Sequence, residues 1–229
     1  MIQLYYHPSP NPLKVALFLE EAGLPYALVP IDTRKGEQHS AAFRAINPNA
    51  KTPALVDGDA TVFDSNAILL YLAQKTGKFV PPDTPAQRAQ MLSWLMFVAT
   101  GIGPYCGQAV HFQHMAPEPK EYAVNRYTFE AERHWKLIEE QLAGKPWMLG
   151  DTYTIVDMAV WGWARMIPRY LGADGFAALP NVKRHLDTIN TRPAAQRAEA
   201  LKERFSFKQD LDDEARKALF PQNARLAAR

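Results

Sequence analysis

The sequence predicts a small mixed α/β half followed by an all-helical half, and three observations carry that prediction. Short apolar runs alternate with helical patterns from the first residues to Gly77. A proline-rich stretch, KFVPPDTPAQ, then interrupts the chain. From Arg88 to about Lys202 convincing strand patterns stop, and long helical ones take over.

Residues 2 to 6 (IQLYY) read as a short buried strand, and residues 12 to 22 (PLKVALFLEEA) as an amphipathic helix stopped by Gly23. Between them YHPSPNP places a proline at every second position. Proline fixes its own φ near about −65° and pushes the preceding residue out of the helical region, so Ser9 and Asn11 are expected to be extended and stiff. The plain structural reading makes Asn11 the N-cap and Pro12 the first helical residue.

Residues 26 to 31 (YALVPI) suit a second strand, with Pro30 placing its end at a sheet edge. A polar loop, TRKGEQHS, leads to AAFRAI, which is long enough only for a short helix. TPALVDGDATVFD holds two apolar runs around Asp57-Gly58-Asp59, a hairpin signal, and residues 65 to 76 (SNAILLYLAQKT) close the half as a helix ending at Gly77. The order β-α-β-α-β-β-α describes a thioredoxin-like domain over residues 1–78. Residues 78 to 87 read as the linker and residues 88–205 as an all-helical domain. Its patterns are AQRAQMLSWLMFVATGIG, EYAVNRYTFEAERHWKLIEEQLAG, IVDMAVWGWARMIPRYLG and NVKRHLDTINTR. Thr154 and Asp157 fit a capping box, a feature of folding rather than of chemistry. Residues 206–229 are charged and weakly periodic and read as an extension to which the sequence assigns no order.

With 229 residues and 47% hydrophobic content the chain can fill a sizeable core. Lys and Arg number 26 against 24 Asp and Glu, and the formal charge of +2 gives no case for a nucleic-acid or general polyanion binder. Small molecules or another protein are the expected partners. The N-terminus lacks a basic region followed by a long apolar run, and no stretch approaches about 18 uninterrupted apolar residues, so the expected location is the cytoplasm, without a membrane span. Cys106 is the only cysteine, which excludes an internal disulfide, a Cys-x-x-Cys redox pair and a thiolate zinc site. Thiol chemistry must therefore borrow its sulfur from a ligand.

Two dipeptides stand out as candidate ligand contacts. Proline is tolerated at the start of a strand, and a cis bond at Thr52-Pro53 would turn the N–H and C=O of Thr52 outward, where an extended peptide can pair with them. An ordinary trans strand start is the alternative. Asp64-Ser65 opens a helix, whose first N–H groups attract an anion while the Asp64 carboxylate can hold an amine. Together they would grip both charges of an amino-acid headgroup; a simple N-cap is the alternative. Gln38, Lys51 and Arg126 add polar or cationic reach, and each alone reads as a surface side chain.

YHPSPNPLKVALFLEEAG, INPNAKTPALVDGDATVFDSNAILLYLAQKTG and TIVDMAVWGW, in this order, make the chain resemble a cytosolic glutathione transferase over about residues 1 to 204. SPNPLKVALFLEEAG, the GEQ loop, GIGPYCGQ, HFQHMAP and YAVNRY are similar to the bacterial Nu-class branch, which includes glutathione-dependent disulfide-bond reductases. The resemblance implies a C-terminal helical bundle of the glutathione transferase type. It implies that Ser9 and Asn11 face the glutathione sulfur and that Thr52, before a cis Pro53, pairs with the cysteinyl backbone. Asp64 and Ser65 would take the γ-glutamyl end, and Gln38, Lys51 and Arg126 would help to hold glutathione, Arg126 by reaching towards a neighbouring subunit of a homodimer. Residue 52 is often Val or Ile in this family, but a backbone contact tolerates Thr.

The stiff proline loop then has a purpose. A free thiol has a pKa near about 8.5, and donors held in place without an ordering cost lower it. In this reading the Asn11 oxygen caps the helix while its amide faces the ligand. Tyr5 and Tyr6 are adjacent on an alternating strand, so at least one points into the core, and a catalytic Tyr is disfavoured. His111 and His114, without a nearby carboxylate, make a poor metal site, and no metal is expected. Cys106 reads as a buried or incidental thiol. The expected activity is reduction of small disulfides, with peroxides as further substrates, through a ligand thiolate. The alternatives are conventional conjugation to electrophiles, with Trp94, Phe97, Tyr105 and Phe112 suited equally to an apolar wall and to the helix core, and a non-catalytic glutathione-binding module.

Overall fold

The computed structural model describes residues 1–118 and 120–227. β1 (Ile2–Tyr6) is the inner strand that organises the first half, pairing in parallel with β2 (Tyr26–Pro30) and antiparallel with β3 (Ala54–Asp57). β3 pairs antiparallel with β4 (Ala60–Phe63), giving the order β2-β1-β3-β4 and leaving Pro30 on an edge strand, where its missing N–H breaks no ladder. Gly58, at φ 61°, supplies the left-handed residue of the β3–β4 turn.

Alternation along β1 sorts its side chains between two faces. Ile2, Leu4 and Tyr6 join the main core under α1 (Pro10–Ala22) and α3 (Ser65–Thr76), whereas Tyr5 packs on the opposite face against Phe43 of α2 (Ala41–Ile46). Both α1 and α3 stop at a left-handed glycine, Gly23 and Gly77.

α1 begins two residues earlier than the sequence suggests. Ser9 is the N-cap in extended geometry, Pro10 is the first helical residue and Asn11 is helical, so Asn11 is neither the cap nor extended. The first-turn N–H groups of a helix have no partner within it, so prolines at 10 and 12 remove nothing. Burial of α1 from Pro12 to Leu19 outweighs the restraint that Pro12 places on Asn11.

The helical half holds α4 (Pro85–Phe97), α5 (Gly103–His114), α6 (Glu121–Gln141), α7 (Ile155–Ala164), α8 (Ile167–Leu171), α9 (Pro180–Asn190) and α10 (Pro193–Ala200). The first long pattern is divided by a π turn over Val98–Ile102, where Pro104 has no N–H to return to the preceding turn. A Cβ on Gly101 would lie 2.5 Å from the His134 ring, so this wide turn also lets α6 approach. Trp147 and Gly150 exchange two 3.1 Å backbone bonds, which close a tight turn rather than build a strand pair. The capping box forms as expected, and the wholly buried Asp157 carboxylate also accepts from Met148 N and His185 Nε2 at 2.8 and 2.9 Å.

One contiguous apolar core runs through both halves, from Ile2 to Phe207. At the proline-rich break Phe79 sets its ring edge-on to Phe18, 5.2 Å between centroids, and its carbonyl accepts the N–H of Ile155. The C-terminal extension is packed in place. Asp32 Oδ2 accepts Lys208 N at 2.8 Å, Arg34 donates to the carbonyls of Lys208 and Gln209, and Phe207 lies edge-on to His7. Beyond it α11 (Asp213–Leu219) crosses the loop that carries Gln38, and α12 (Ala224–Ala227) ends the described chain.

Candidate functional site

A cleft of about 590 Å³ lies between the two halves, a size that suits a peptide-like ligand. Its α/β wall is built by the segment that starts β3 and by the first turns of α1 and α3: Asn11, Lys51, Thr52, Pro53, Asp64 and Ser65. Its helical wall is built around the π turn and Trp163: Val98, Ala99, Pro104, Gln108 and Trp163.

The Thr52-Pro53 bond is cis, the alternative that the family resemblance implies. Asn47 Nδ2 donates to the Lys51 carbonyl at 2.6 Å and holds this segment to the end of α2. Asp64 is the N-cap of α3, its Oδ1 accepting from Asn66 N and Ala67 N at 2.9 and 3.1 Å. It adopts φ 72°, a region costly for a non-glycine residue, and such strain persists where surrounding structure imposes it. One carboxylate oxygen is thus used as a cap and the exposed side chain keeps the other, beside the N–H groups of the first turn of α3.

Asn11 has a partner that sequence reasoning missed. Its Oδ1 accepts from Trp163 Nε1 at 3.1 Å. An indole nitrogen only donates, so the amide must present oxygen to Trp163 and NH2 to the cleft. The indole lies along α5 beside Gly103 and Gly107, one turn apart, where even a Cβ would be in ordinary contact with it at 3.5 to 3.6 Å. TIVDMAVWGW and GIGPYCGQ were legible as motifs, but nothing in them shows which residue the indole meets.

Lys14 is the second residue missed. Its side chain is 1% exposed, lines the cleft, and places Nζ 3.4 Å from Ser65 Oγ. Burial pushes its ammonium down to about 7, against a smaller opposing pull from Asp64. Gly162 makes the room, since a Cβ there would fall 2.6 Å from Lys14 Cγ and 2.7 Å from the Pro10 carbonyl.

The remaining candidates lie elsewhere. Ser9 caps the start of α1 without a side-chain bond and is not a lining residue of the cleft. Gln38 is buried under the C-terminal extension, its Nε2 donating to the carbonyls of Thr33 and Ala218 at 3.1 and 3.2 Å. Arg126 is half-exposed on α6 and paired with Glu130 at 2.8 Å, away from the cleft of its own chain. Tyr6 is wholly buried, which pushes its phenol up to about 12, and Tyr5 faces α2. Burial likewise raises the Cys106 thiol to about 12. His111 packs against Phe220, while His114 Nε2 donates to the Arg169 carbonyl. Among the described residues no group of His, Cys, Asp or Glu side chains is disposed to hold a metal, and no helix is long and apolar enough to cross a membrane.

Of the two readings of Trp94, Phe97, Tyr105 and Phe112, the structure shows helix packing, and none of the four lines the cleft. Phe97 stacks on His134, Tyr105 tilts against Tyr127 and His134, and Phe112 stacks on Tyr127 at 5.3 Å, all packing within the helical half. Helical periodicity points such side chains inward before it can aim them at a ligand. A second concavity, between α5 and α6, is lined by Phe112, Gln113, His114, Lys120 and Asn125 among others and contains none of the candidate glutathione contacts.

Comparison with known proteins bears on the family and the fold. The family descriptions "Glutathione S-transferase, N-terminal domain" and "Glutathione S-transferase, C-terminal domain" match residues 1–74 and 95–193. The disulfide-bond oxidoreductase YfcG of Escherichia coli K12 is 42% identical over 205 residues, covering 86% of this chain and 94% of the relative. The disulfide-bond oxidoreductase YghU of the same organism is 38% identical over 215 residues, covering 86% and 73%. A glutathione transferase of Burkholderia graminis, solved with two glutathione molecules per subunit, superimposes with a TM-score of 0.84 at 37% identity, covering 89% of each chain. One from Pseudomonas putida, solved with one glutathione disulfide per subunit, gives 0.81 at 37% identity, covering 86% and 90%. With its mixed four-stranded sheet, its helical second half and these matches along most of its length, the chain belongs to the glutathione S-transferase family.

Proposed function

We propose that the cleft binds glutathione or glutathione disulfide and that the protein is a glutathione-dependent disulfide-bond oxidoreductase of the Nu-class kind. The observation that carries this reading is the Asn11 amide, turned towards the cleft by Trp163 and sharing it with the first turn of α3. The Asp64 carboxylate takes the ligand's ammonium, Ser65 its α-carboxylate, and the main chain of Thr52 its cysteinyl unit, with Lys51 at the far end. The sulfur then falls near Asn11 and the start of α1, where the amide N–H and the helix N-terminus favour the thiolate, with the Ser9 hydroxyl, at the N-cap just outside the cleft lining, as a further donor that would have to turn inward. Attack of this thiolate on a small disulfide forms a mixed disulfide and expels one thiolate, which takes up a proton. A second glutathione thiolate attacks the glutathione sulfur of the mixed disulfide, giving glutathione disulfide and the second thiol. Two glutathiones are oxidised and one substrate disulfide is reduced, with no protein sulfur involved.

Organic peroxides and small electrophiles are further substrates of the same thiolate. The reading retains a division into residues 1–78, 88–205 and 206–229, a cytoplasmic location and a homodimer. In that dimer Arg126, half-exposed and outside the cleft of its own chain, would face the partner's cleft. Gln38 would act through the shape of its loop. An assay panel with a mixed glutathione disulfide, an organic peroxide and a chlorinated aromatic electrophile tests the activity. Turnover fastest with the disulfide supports it; turnover with the electrophile alone overturns it in favour of conjugation.

A further inference from the structure

The geometry points to Lys14 as a binding residue of the cleft, its ammonium pairing with the α-carboxylate of the ligand's γ-glutamyl group. This inference rests on reading the cleft as a glutathione site and adds to it a cation that neither the sequence motifs nor the comparisons single out.

A lysine as buried as this one requires a counter-charge, and the structure gives it none within ion-pair distance among the described residues. Its recorded hydrogen bond is a long one, 3.4 Å to a neutral hydroxyl, and that hydroxyl is on Ser65, the first residue of α3. The N-terminal end of α3 carries the positive pole of the helix, so helix and ammonium meet with the same sign. Nearby Asp64 spends one oxygen on the cap and lies too far for a pair with Lys14. Two positive features converging on one wall of a cleft leave room for one anionic group, and the carboxylate of an amino-acid headgroup has the size and charge to take it. Gly162 lets α7 close on α1 at this point, since a Cβ there would fall 2.6 Å from Lys14 Cγ and 2.7 Å from the Pro10 carbonyl.

The groups that act on the ammonium are Asp64 on α3 and Cys106 on α5, while α7 presents Gly162 and Trp163, which do not titrate. Without ligand, burial lowers the proton affinity of Lys14; an added carboxylate restores it. Ligand binding above neutral pH therefore takes up a proton at Lys14.

The test compares glutathione with γ-aminobutyryl-cysteinylglycine, which lacks only the α-carboxylate, by titration calorimetry on the wild type and on Lys14→Met. The wild type is expected to bind glutathione about 10- to 100-fold more tightly than the shortened peptide. Lys14→Met should reduce that ratio at least 10-fold. An undiminished ratio, with both peptides weakened alike, means that Lys14 only supports the fold and overturns the inference while leaving the glutathione site intact. Should Lys14→Met not fold, proton uptake by the wild type at pH 8, read in buffers of different ionisation heat, decides the matter. The thiol releases its proton with either peptide, so a larger uptake with glutathione supports the pairing, and equal counts overturn it. A wild type that binds neither peptide overturns both this inference and the glutathione reading.

Discussion

Trp163 donates its indole N–H to Asn11 Oδ1 across 152 positions of sequence, and this single bond decides which end of the amide faces the cleft. The bond ties the first turn of α1 to α7, so the group proposed to meet the sulfur is oriented by the helical half of the molecule.

Trp163→Phe is therefore expected to lower disulfide reduction about tenfold and to raise the apparent pKa of the bound thiol, because the amide is then free to turn its oxygen towards the sulfur. Asn11→Ala should do the same, and the double variant should be little worse than either single one. Steady-state rates across pH check this, and additive losses would show that the two residues act apart.

Cys106→Ser should leave turnover within about twofold. The thiol is wholly buried in the helical core with its pKa pushed up to about 12, so at neutral pH it is neither ionised nor accessible. Loss of activity in a variant that keeps its melting temperature would require a protein-sulfur mechanism.

Asp64→Asn keeps an N-cap and tolerates a positive φ, so it should fold normally yet bind glutathione about tenfold more weakly through loss of the ammonium partner. Asp64→Ala should add about 1 kcal/mol of instability from the lost cap. Calorimetry beside thermal melts separates the two, and unchanged affinity in Asp64→Asn would reduce the carboxylate to a cap.

Lys14 should leave a pH signature on the stability of the unliganded protein. Its ammonium is held at about 7 in the folded state against 10.5 in the unfolded chain, so between these values the unfolded state binds the extra proton. Stability from this group then rises as pH increases through that window, by at most about 1.4 kcal/mol per unit, and the burial penalty is fully present below pH 7. Urea titrations at pH 6.5 and 9 should show this rise in the wild type and its absence in Lys14→Met.

Ending the chain after Phe205 should lower the melting temperature by roughly 5 to 10 °C, since it uncovers the ring surface of His7 and Tyr6 that Phe207 packs against and removes the donor to Asp32. A melt within 2 °C of the full chain, about the smallest meaningful change, would show that the extension adds nothing to the fold.

What the sequence by itself determined was local. The alternation in IQLYY, the Asp57-Gly58-Asp59 turn, the Asp64-Ser65 helix start, the glycine stops at 23 and 77, the cis Thr52-Pro53 bond and the Thr154–Asp157 box all appear where they were expected. All but the cis bond depend on sterics or hydrogen bonds within a few residues; the dipeptide alone left a trans bond open, and motif order supplied both the cis expectation and the family. Tertiary structure decided the rest. Proline spacing made Asn11 a cap in prospect, but burial of α1 moved the cap to Ser9 and left the Asn11 oxygen for Trp163. Four aromatics suited a ligand wall by composition, yet packing between α4, α5 and α6 used them. Gln38 and the C-terminal extension were each opaque alone because their partner is the other, 180 positions away at Ala218. Lys14 stands in the amphipathic run PLKVALFLEEA with nothing local to mark it, and only Gly162 and Ser65, from other helices, enclose it. Periodicity reports which face of an element turns inward, but not what it will meet there, and the chemistry of this cleft depends on those meetings.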